Sequence, residues 1–512
     1  MTRGKHELCR RVVPELKEAS EAGSKLPEFS LPAEASVSSF YGVFVATVVG
    51  DSGKSKPLDF VPQVLKRMAE KNSLQHTAAE LSADANSKSW LNAWRQCLRW
   101  SPTSKEDTVQ SEKRLLTSLV KTPYIQQQVN IGSGAPGARV HWFRSQSSED
   151  RFINTVTFDK GAPDTPTLVM VHGYGAAQGF FFRNFDALAE KFRVHAIDQI
   201  GYKVVLIQSS ILIGVGTAFV IVKRLRWGAS SRPDFTCKST EETESWFVDS
   251  LEEWRKEMKL GKFILLGHSL GGYVAARYAL KHPENVEHLI LVGSAGFSSE
   301  LDQRVLEFRS TWKGAFINYL WESNVTPQKF VRFIGPWGPQ IVRGYTGARF
   351  GTRAVGTVLD DNESKLLSDY IFHTLAARPS GEYCLKYIFA FGAAARLPLT
   401  QSAPDWKVPT SFIYGTEDWM DWKGAQKASE LMNVPTEIIR VPQGGHFVFM
   451  DNARDFHSAV FYACRKFLAT ARTSGSLSED VVNHLSPFVY PEKGILMKFT
   501  LACLILLSSA AV

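Results

Sequence analysis

The sequence predicts an α/β fold, a mostly parallel, doubly wound sheet with an inserted helical cap. Three observations predict it. Past residue 135 strand-like and helix-like stretches alternate. Several strand-like stretches are continuous apolar runs, as strands buried on both faces must be. The alternation lapses once, between about residues 297 and 400, where helical patterns dominate and a cap over the strands' carboxyl ends is expected.

Taken in order, residues 1–88 are rich in Ser, Ala, Glu and Lys, with one apolar patch from Phe40 to Val49, and read as a weakly ordered extension. Residues 89–134 are a Trp-containing amphipathic lead-in. On a helix Trp90, Leu91, Trp94 and Leu98 share one face, the run ends at Trp100, and Arg95 and Arg99 can reach phosphate. Indole rings favour the headgroup boundary, so this is either a lipid-surface element or a helix packed on the main domain.

Residues 135–470 hold the main domain. Its expected strands are Val140–Phe143, Phe152–Phe158, Thr167–His172, Arg193–Asp198, Phe263–Gly267, His288–Gly293, Ser411–Tyr414 and Glu437–Val441. The chief expected helices are Thr243–Met258, Gly271–Lys281 and Asp455–Ala469. An anomalous segment, 202–226, interrupts this order. Within it Val204–Val222 is uncharged and apolar enough to pass as a spanning helix. Joining Gly201 to Trp227 gives Ala-Ile-Asp-Gln-Ile-Gly-Trp-Gly-Ala-Ser-Ser-Arg-Pro, which runs on as in the family resembled below; that resemblance implies a gene-model error or a membrane-dipping lid, and a real segment must lie outside the core. Residues 471–512 are a tail whose apolar end, Phe499 to Val512, is short for a span.

At 512 residues, 44% hydrophobic and 21% charged, the composition is that of a globular protein rather than a disordered chain. The net charge of +8 favours anionic partners. With no zinc-finger, basic-zipper or RNA-binding signature, a lipid surface is preferred to nucleic acid. Six well-separated cysteines without a Cys-x-x-Cys pair suggest reduced thiols and a cytoplasmic protein. No metal is expected, because no His/Cys/Asp cluster has ligand spacing.

The strongest motif is Gly267-His268-Ser269-Leu270-Gly271, between an apolar strand and a helix. A serine on such a strained elbow needs small residues two positions to either side. The acid candidate is Asp418, past the strand Ser411–Tyr414, with Glu417 and Asp421 as neighbouring rivals. The base candidate is His446, past the last strand. The chain order serine, acid, histidine is that of the α/β-hydrolase fold. An oxyanion hole is expected from the N–H of Leu270 and from that of Tyr174 or Gly175, in His172-Gly173-Tyr174-Gly175.

From about Ser89 to Leu468 the sequence resembles the plant members of the hydrolase family that contains the mammalian lipid-droplet co-activator of triacylglycerol lipase. The resemblance is carried by Gly179-Phe-Phe-Phe-Arg-Asn-Phe-Asp186, Ser230-Ser-Arg-Pro-Asp-Phe235, the elbow through Gly296, and Gly444-Gly-His-Phe-Val-Phe-Met-Asp451. It implies lysophosphatidic acid acyltransferase activity with acyl-CoA, or phospholipase and weak triacylglycerol lipase activity. The family's acyltransferase-type motif, His with Asp five positions on, falls on His446 and Asp451. Asp451-Asn452 can equally be read as a cap of the following helix. The mammalian co-activator carries Asn at the position of Ser269, so the serine here favours an enzyme over a pure scaffold.

The cap also suits lipid. Trp312, Phe316, Tyr319 and Leu320 share a helical face, and Arg304, Arg309, Lys313, Lys329, Arg332, Arg343, Arg349 and Arg353 are candidates to hold a phosphate. The expected function is acyl-ester chemistry on lipids; the alternative is a lipid-droplet or membrane-docked regulator of another lipase. The expected partners are phospholipids, lysophosphatidic acid, a neutral lipid surface and acyl-CoA as co-substrate rather than bound cofactor. The expected location is peripheral to membranes or lipid droplets.

Overall fold

The computed structural model describes residues 103–133, 150–160, 164–201, 210–215, 218–223, 231–298, 303–333, 335–351 and 358–470. The extension 1–88, the Trp90–Trp100 segment, the expected strand at Val140–Phe143 and the tail 471–512 lie outside them.

The strands in chain order are β1 (Ile125–Ser133), β2 (Asp150–Phe158), β3 (Thr167–Val171), β4 (Arg193–Ile197), β5 (Ser210–Val215), β6 (Ala218–Lys223), β7 (Phe263–His268), β8 (Val286–Val292), β9 (Thr410–Gly415) and β10 (Thr436–Val441). Eight of them form one sheet in the order β1-β2-β4-β3-β7-β8-β9-β10. β1 and β2 pair antiparallel, as do β2 and β4. The remaining pairings are parallel. Parallel neighbours need covered crossovers, and the helices Thr240–Glu257 and Leu270–Lys281 supply them. They bring Trp254, Tyr273 and Tyr278, all fully buried, against the sheet. Burial on this scale contributes roughly 2–3 kcal/mol per large side chain. Every residue of β7 is buried, which fixes the strand that leads to Ser269.

Two boundaries differ from expectation. β1 lies inside the lead-in, so the sheet starts ahead of residue 135. Its Gln-Gln-Gln core is polar because an edge strand leaves one side to water. The helix expected over Asp455–Ala469 breaks at Cys464 into Ala453–Ala463 and Arg465–Thr470. Between β8 and β9 the expected cap is present as the helices Gln303–Ser310, Trp312–Glu322, Pro327–Phe333, Gly338–Phe350 and Asp361–Ala376.

The described residues of the anomalous segment, 210–215 and 218–223, are strands rather than helix. β5 and β6 form a separate antiparallel pair, with Val215 opposite Ala218, and do not join the main sheet. Its Val- and Ile-rich composition disfavours helix and favours strand. The chain leaves and re-enters the fold at one point. Gly201 N–H donates to Ser231 O at 2.7 Å, and Ser231 N–H donates to Phe152 O at 2.7 Å. No helix among the described residues is long and apolar enough to cross a membrane.

Burial also leaves a pH signature. His172, His195, His288 and His457 are each pushed down to about 4, chiefly by burial, and are neutral in the folded chain. Unfolded histidine titrates near 6.5, so between these values the unfolded state binds more protons and stability rises with pH. Each such histidine contributes a slope of up to about 1.4 kcal/mol per pH unit. The melting temperature is therefore expected to fall steeply as pH drops from 6.5 towards 4. A melt series over that window showing no decline would contradict it.

Candidate active site

β7 passes directly into the helix Leu270–Lys281, and the residue between them is Ser269, at φ 54° and ψ −118°. An L-residue adopts that conformation only when its surroundings impose it. Here the packing does so. A methyl group on Gly271 would enter the carbonyls of Val171 and His172, and one on Gly267 would enter that of Gly271. The elbow therefore tolerates nothing larger than glycine at either flank, and Ser269 is held at the tip, 9% exposed.

The partners come from the carboxyl ends of later strands, the edge where open α/β sheets place their sites. Asp418 follows β9 and His446 follows β10. His446 Nε2 lies 3.0 Å from Ser269 Oγ, and His446 Nδ1 lies 3.0 Å from Asp418 Oδ1. Asp418 Oδ1 also accepts from Met420 N–H at 3.0 Å, which fixes the carboxylate. The rival acids are elsewhere. Asp421 caps the helix Trp422–Leu431 by accepting from Gly424 N–H, and Glu417 N–H donates to Gly444 O.

Two neighbours of this chain of hydrogen bonds were not legible as site residues. Gly293, just past β8 at φ +47°, has Asp418 Oδ2 2.6 Å and His446 Nδ1 3.2 Å from where its Cβ would be. A side chain there would separate acid from base. His268 places Nε2 2.9 Å from the His446 carbonyl, with the two rings 4.7 Å apart. Burial, with the His446 ring beside it, holds His268 well below the usual histidine range. It is neutral, and since its partner is a carbonyl, its Nε2 carries the proton.

On the opposite side Gly173 packs against the elbow, where a methyl would meet Ser269 Cβ at 3.0 Å. The loop then turns through Gly175 at φ +66°. Leu270, as the first helical residue, has an N–H with no acceptor within its helix. Tyr174 itself is anchored through its hydroxyl to Gln328 Oε1 of the cap at 2.7 Å.

The stretch Gly179–Asp186 braces the His446 loop from below. Phe181 packs on Phe449 at 4.7 Å, Arg183 donates to Met450 O at 3.2 Å, and Asn184 donates to Phe449 O at 3.0 Å. Asp451 does not cap the following helix. That role belongs to Asn452, whose side chain accepts from Asp455 N–H. Asp451 instead pairs with Arg349, and Arg332 is engaged by Glu382 and the carbonyls of Leu375 and Ala377. Both arginines are thereby removed from the phosphate-binding candidates. The side chains of Arg304 and Arg353 lie outside the described residues, and Arg309, Lys313, Lys329 and Arg343 remain. Among the described residues no group of His, Cys, Asp or Glu is arranged to hold a metal.

A serine on a strained strand-to-helix elbow, facing a histidine and a carboxylate at later strand ends, defines the α/β-hydrolase class. The α/β-hydrolase fold model matches residues 166–333. A probable 1-acylglycerol-3-phosphate O-acyltransferase of Oryza sativa subsp. japonica is 62% identical over 76% of this chain and 88% of its own length. The (lyso)-N-acylphosphatidylethanolamine lipase of Mus musculus is 33% identical over 61% of this chain and 83% of its own. The 1-acylglycerol-3-phosphate O-acyltransferase ABHD5 of Rattus norvegicus is 30% identical over 75% and 96%. The chain belongs to the α/β-hydrolase family of these lipid acyltransferases and lipases.

Proposed function

We propose that this protein is a serine-dependent lipid acyl enzyme that moves an acyl group from acyl-CoA or a phospholipid to lysophosphatidic acid or to water. The observation that carries the reading is the pair of 3.0 Å hydrogen bonds linking Ser269 through His446 to Asp418. His446 Nε2 takes the Ser269 proton as Oγ attacks the acyl carbonyl. The N–H groups of Leu270 and of Tyr174 or Gly175 stabilise the oxyanion. Collapse releases the alcohol or thiol, protonated by His446, and leaves the acyl group on Oγ. An acceptor hydroxyl then attacks, gives its proton to His446, and restores the serine.

The test uses the full chain with labelled phospholipid, or with acyl-CoA and lysophosphatidic acid, beside its Ser269→Ala variant. Serine-dependent product supports the reading, and its identity names the acceptor. A folded, lipid-binding protein without turnover would instead favour a docked regulator.

The cap supports a membrane lipid as substrate source. Trp312 is 71%, Tyr319 65% and Trp337 53% exposed. Lys313 lies over the Trp312 ring at 5.7 Å, and Lys329 and Arg343 belong to the same cap. Exposed indole beside lysine and arginine suits an anionic headgroup layer. Replacing Trp312 and Trp337 together by alanine is expected to weaken flotation with phosphatidylserine-containing vesicles by about tenfold, the equivalent of roughly 60 Å² of apolar surface no longer buried. Flotation equal to the parent protein's would remove the cap from the binding surface.

A further inference from the structure

We infer that Arg349 and Asp451 clamp the cap onto the His446 loop, so that Asp451 is a positioning residue that biases the choice of acyl acceptor. The inference rests on the serine mechanism proposed above.

The geometry is specific. Arg349 lies in the last turn of the cap helix Gly338–Phe350, and its Nη1 and Nη2 donate to the two oxygens of Asp451 at 2.9 and 2.8 Å. Asp451 Oδ2 also accepts from Gly445 N–H at 2.9 Å. The carboxylate is 1% exposed, and both its oxygens are engaged. Neither partner is a reacting atom. Asp451 thus holds the residue immediately before His446, while the Arg349 guanidinium lies over the Phe447 ring, immediately after it, at 5.2 Å. Phe350 packs edge-on against Phe447 at 5.5 Å and completes the contact. A Cβ on Gly445 would lie 2.9 Å from Asp451 Oδ2 and 3.2 Å from Arg349 Nη2, so the clamp also requires that glycine.

One buried ion pair therefore joins a cap helix to both flanks of the general base. Its consequence falls on the second half of the reaction. The Ser269 acyl ester is broken either by a lysophosphatidic acid hydroxyl, giving diacyl product, or by water, giving fatty acid. In both, the attacking oxygen forms the new C–O bond, His446 accepts its proton, and Ser269 Oγ leaves and recovers it. The two routes differ in water access, which a clamped cap limits. Aspartate at this motif position then favours transfer without taking part in bond making.

The test measures three quantities on the full chain: the burst of p-nitrophenol from a soluble acyl ester, the ratio of fatty acid to acylated lysophosphatidic acid, and the melting temperature. Asp451→Asn removes the charge but keeps an acceptor for Gly445, and Arg349→Lys keeps the charge but loses the two-point geometry. Both variants are expected to slow the burst modestly and to raise the hydrolysis-to-transfer ratio, Asp451→Asn by about tenfold, equivalent to ~1.4 kcal/mol. Arg349→Lys carries the test should Asp451→Asn not fold. An unchanged ratio in a folded variant overturns the inference. So does loss of transfer with a normal burst and no gain in hydrolysis, which would make Asp451 a participant in transfer itself. No serine-dependent burst from the parent protein overturns the serine mechanism, and the clamp's role with it.

Discussion

Replacing Ser269 by alanine is expected to lower kcat for lipid turnover on the order of a million-fold, the scale seen when a hydrolase nucleophile is removed. The change deletes one oxygen and leaves the rest of the elbow in place. The φ of 54° at residue 269 is imposed by the packing of Gly267 and Gly271, and alanine has the same backbone demands as serine. His446 loses its 3.0 Å partner but keeps Asp418, and its carbonyl keeps His268. The variant should melt within a few degrees of the parent protein and float with the same vesicles. Product formation that survives the substitution undiminished, in a protein free of contaminating lipase, would sink the serine mechanism.

Asp418→Asn carries the second large effect, a fall in kcat of about 10⁴-fold with little change in shape. The carboxylate only accepts hydrogen bonds, so it obliges His446 Nδ1 to carry the proton and leaves Nε2 free to take one from Ser269. Met420 N–H and His446 Nδ1 meet the same oxygen, Oδ1, so an asparagine that turns its amide towards Nδ1 as a donor gives up the Met420 bond. Nδ1 must then accept, Nε2 becomes the protonated nitrogen, and the imidazole faces the serine in the wrong tautomer. Because the cost is one of tautomer rather than of packing, Asp418→Ala should be no less active than Asp418→Asn within about an order of magnitude. Full activity in a folded Asp418→Asn protein would assign the acid elsewhere, Glu417 first.

The sequence displayed the parts of this molecule whose cause is local. β3, β7, β8 and β9 are short apolar runs because both faces are covered, and such runs are readable without knowing what covers them. The Gly-x-Ser-x-Gly elbow is readable for the same reason, since the crowding that selects glycine arises within a few residues. What stayed hidden depends on distant chain. β1 reads as polar coil until β2 is placed beside it. Gly293 matters only because Asp418 and His446 arrive next to it from two later strand ends. Arg349 is one of eight basic cap residues until the fold sets it against Asp451. The segment 202–226 misled for another reason. An apolar run of that length suits a helix, whereas its branched side chains favour the strand pair that forms.

That hairpin hangs from a closed clasp. Gly201 and Ser231 are hydrogen-bonded to one another, and Ser231 is bonded on to β2. The ends of whatever lies between them are thus already pinned. For a tethered loop, doubling the length adds only about 0.6 kcal/mol of closure entropy. The junction is in effect a splice port, a place where foreign chain can be threaded in or taken out while the sheet beneath keeps its register. A fluorescent domain or an affinity handle grafted there would ride on the enzyme as a passenger, and a natural insertion at that point would persist because the scaffold hardly feels it.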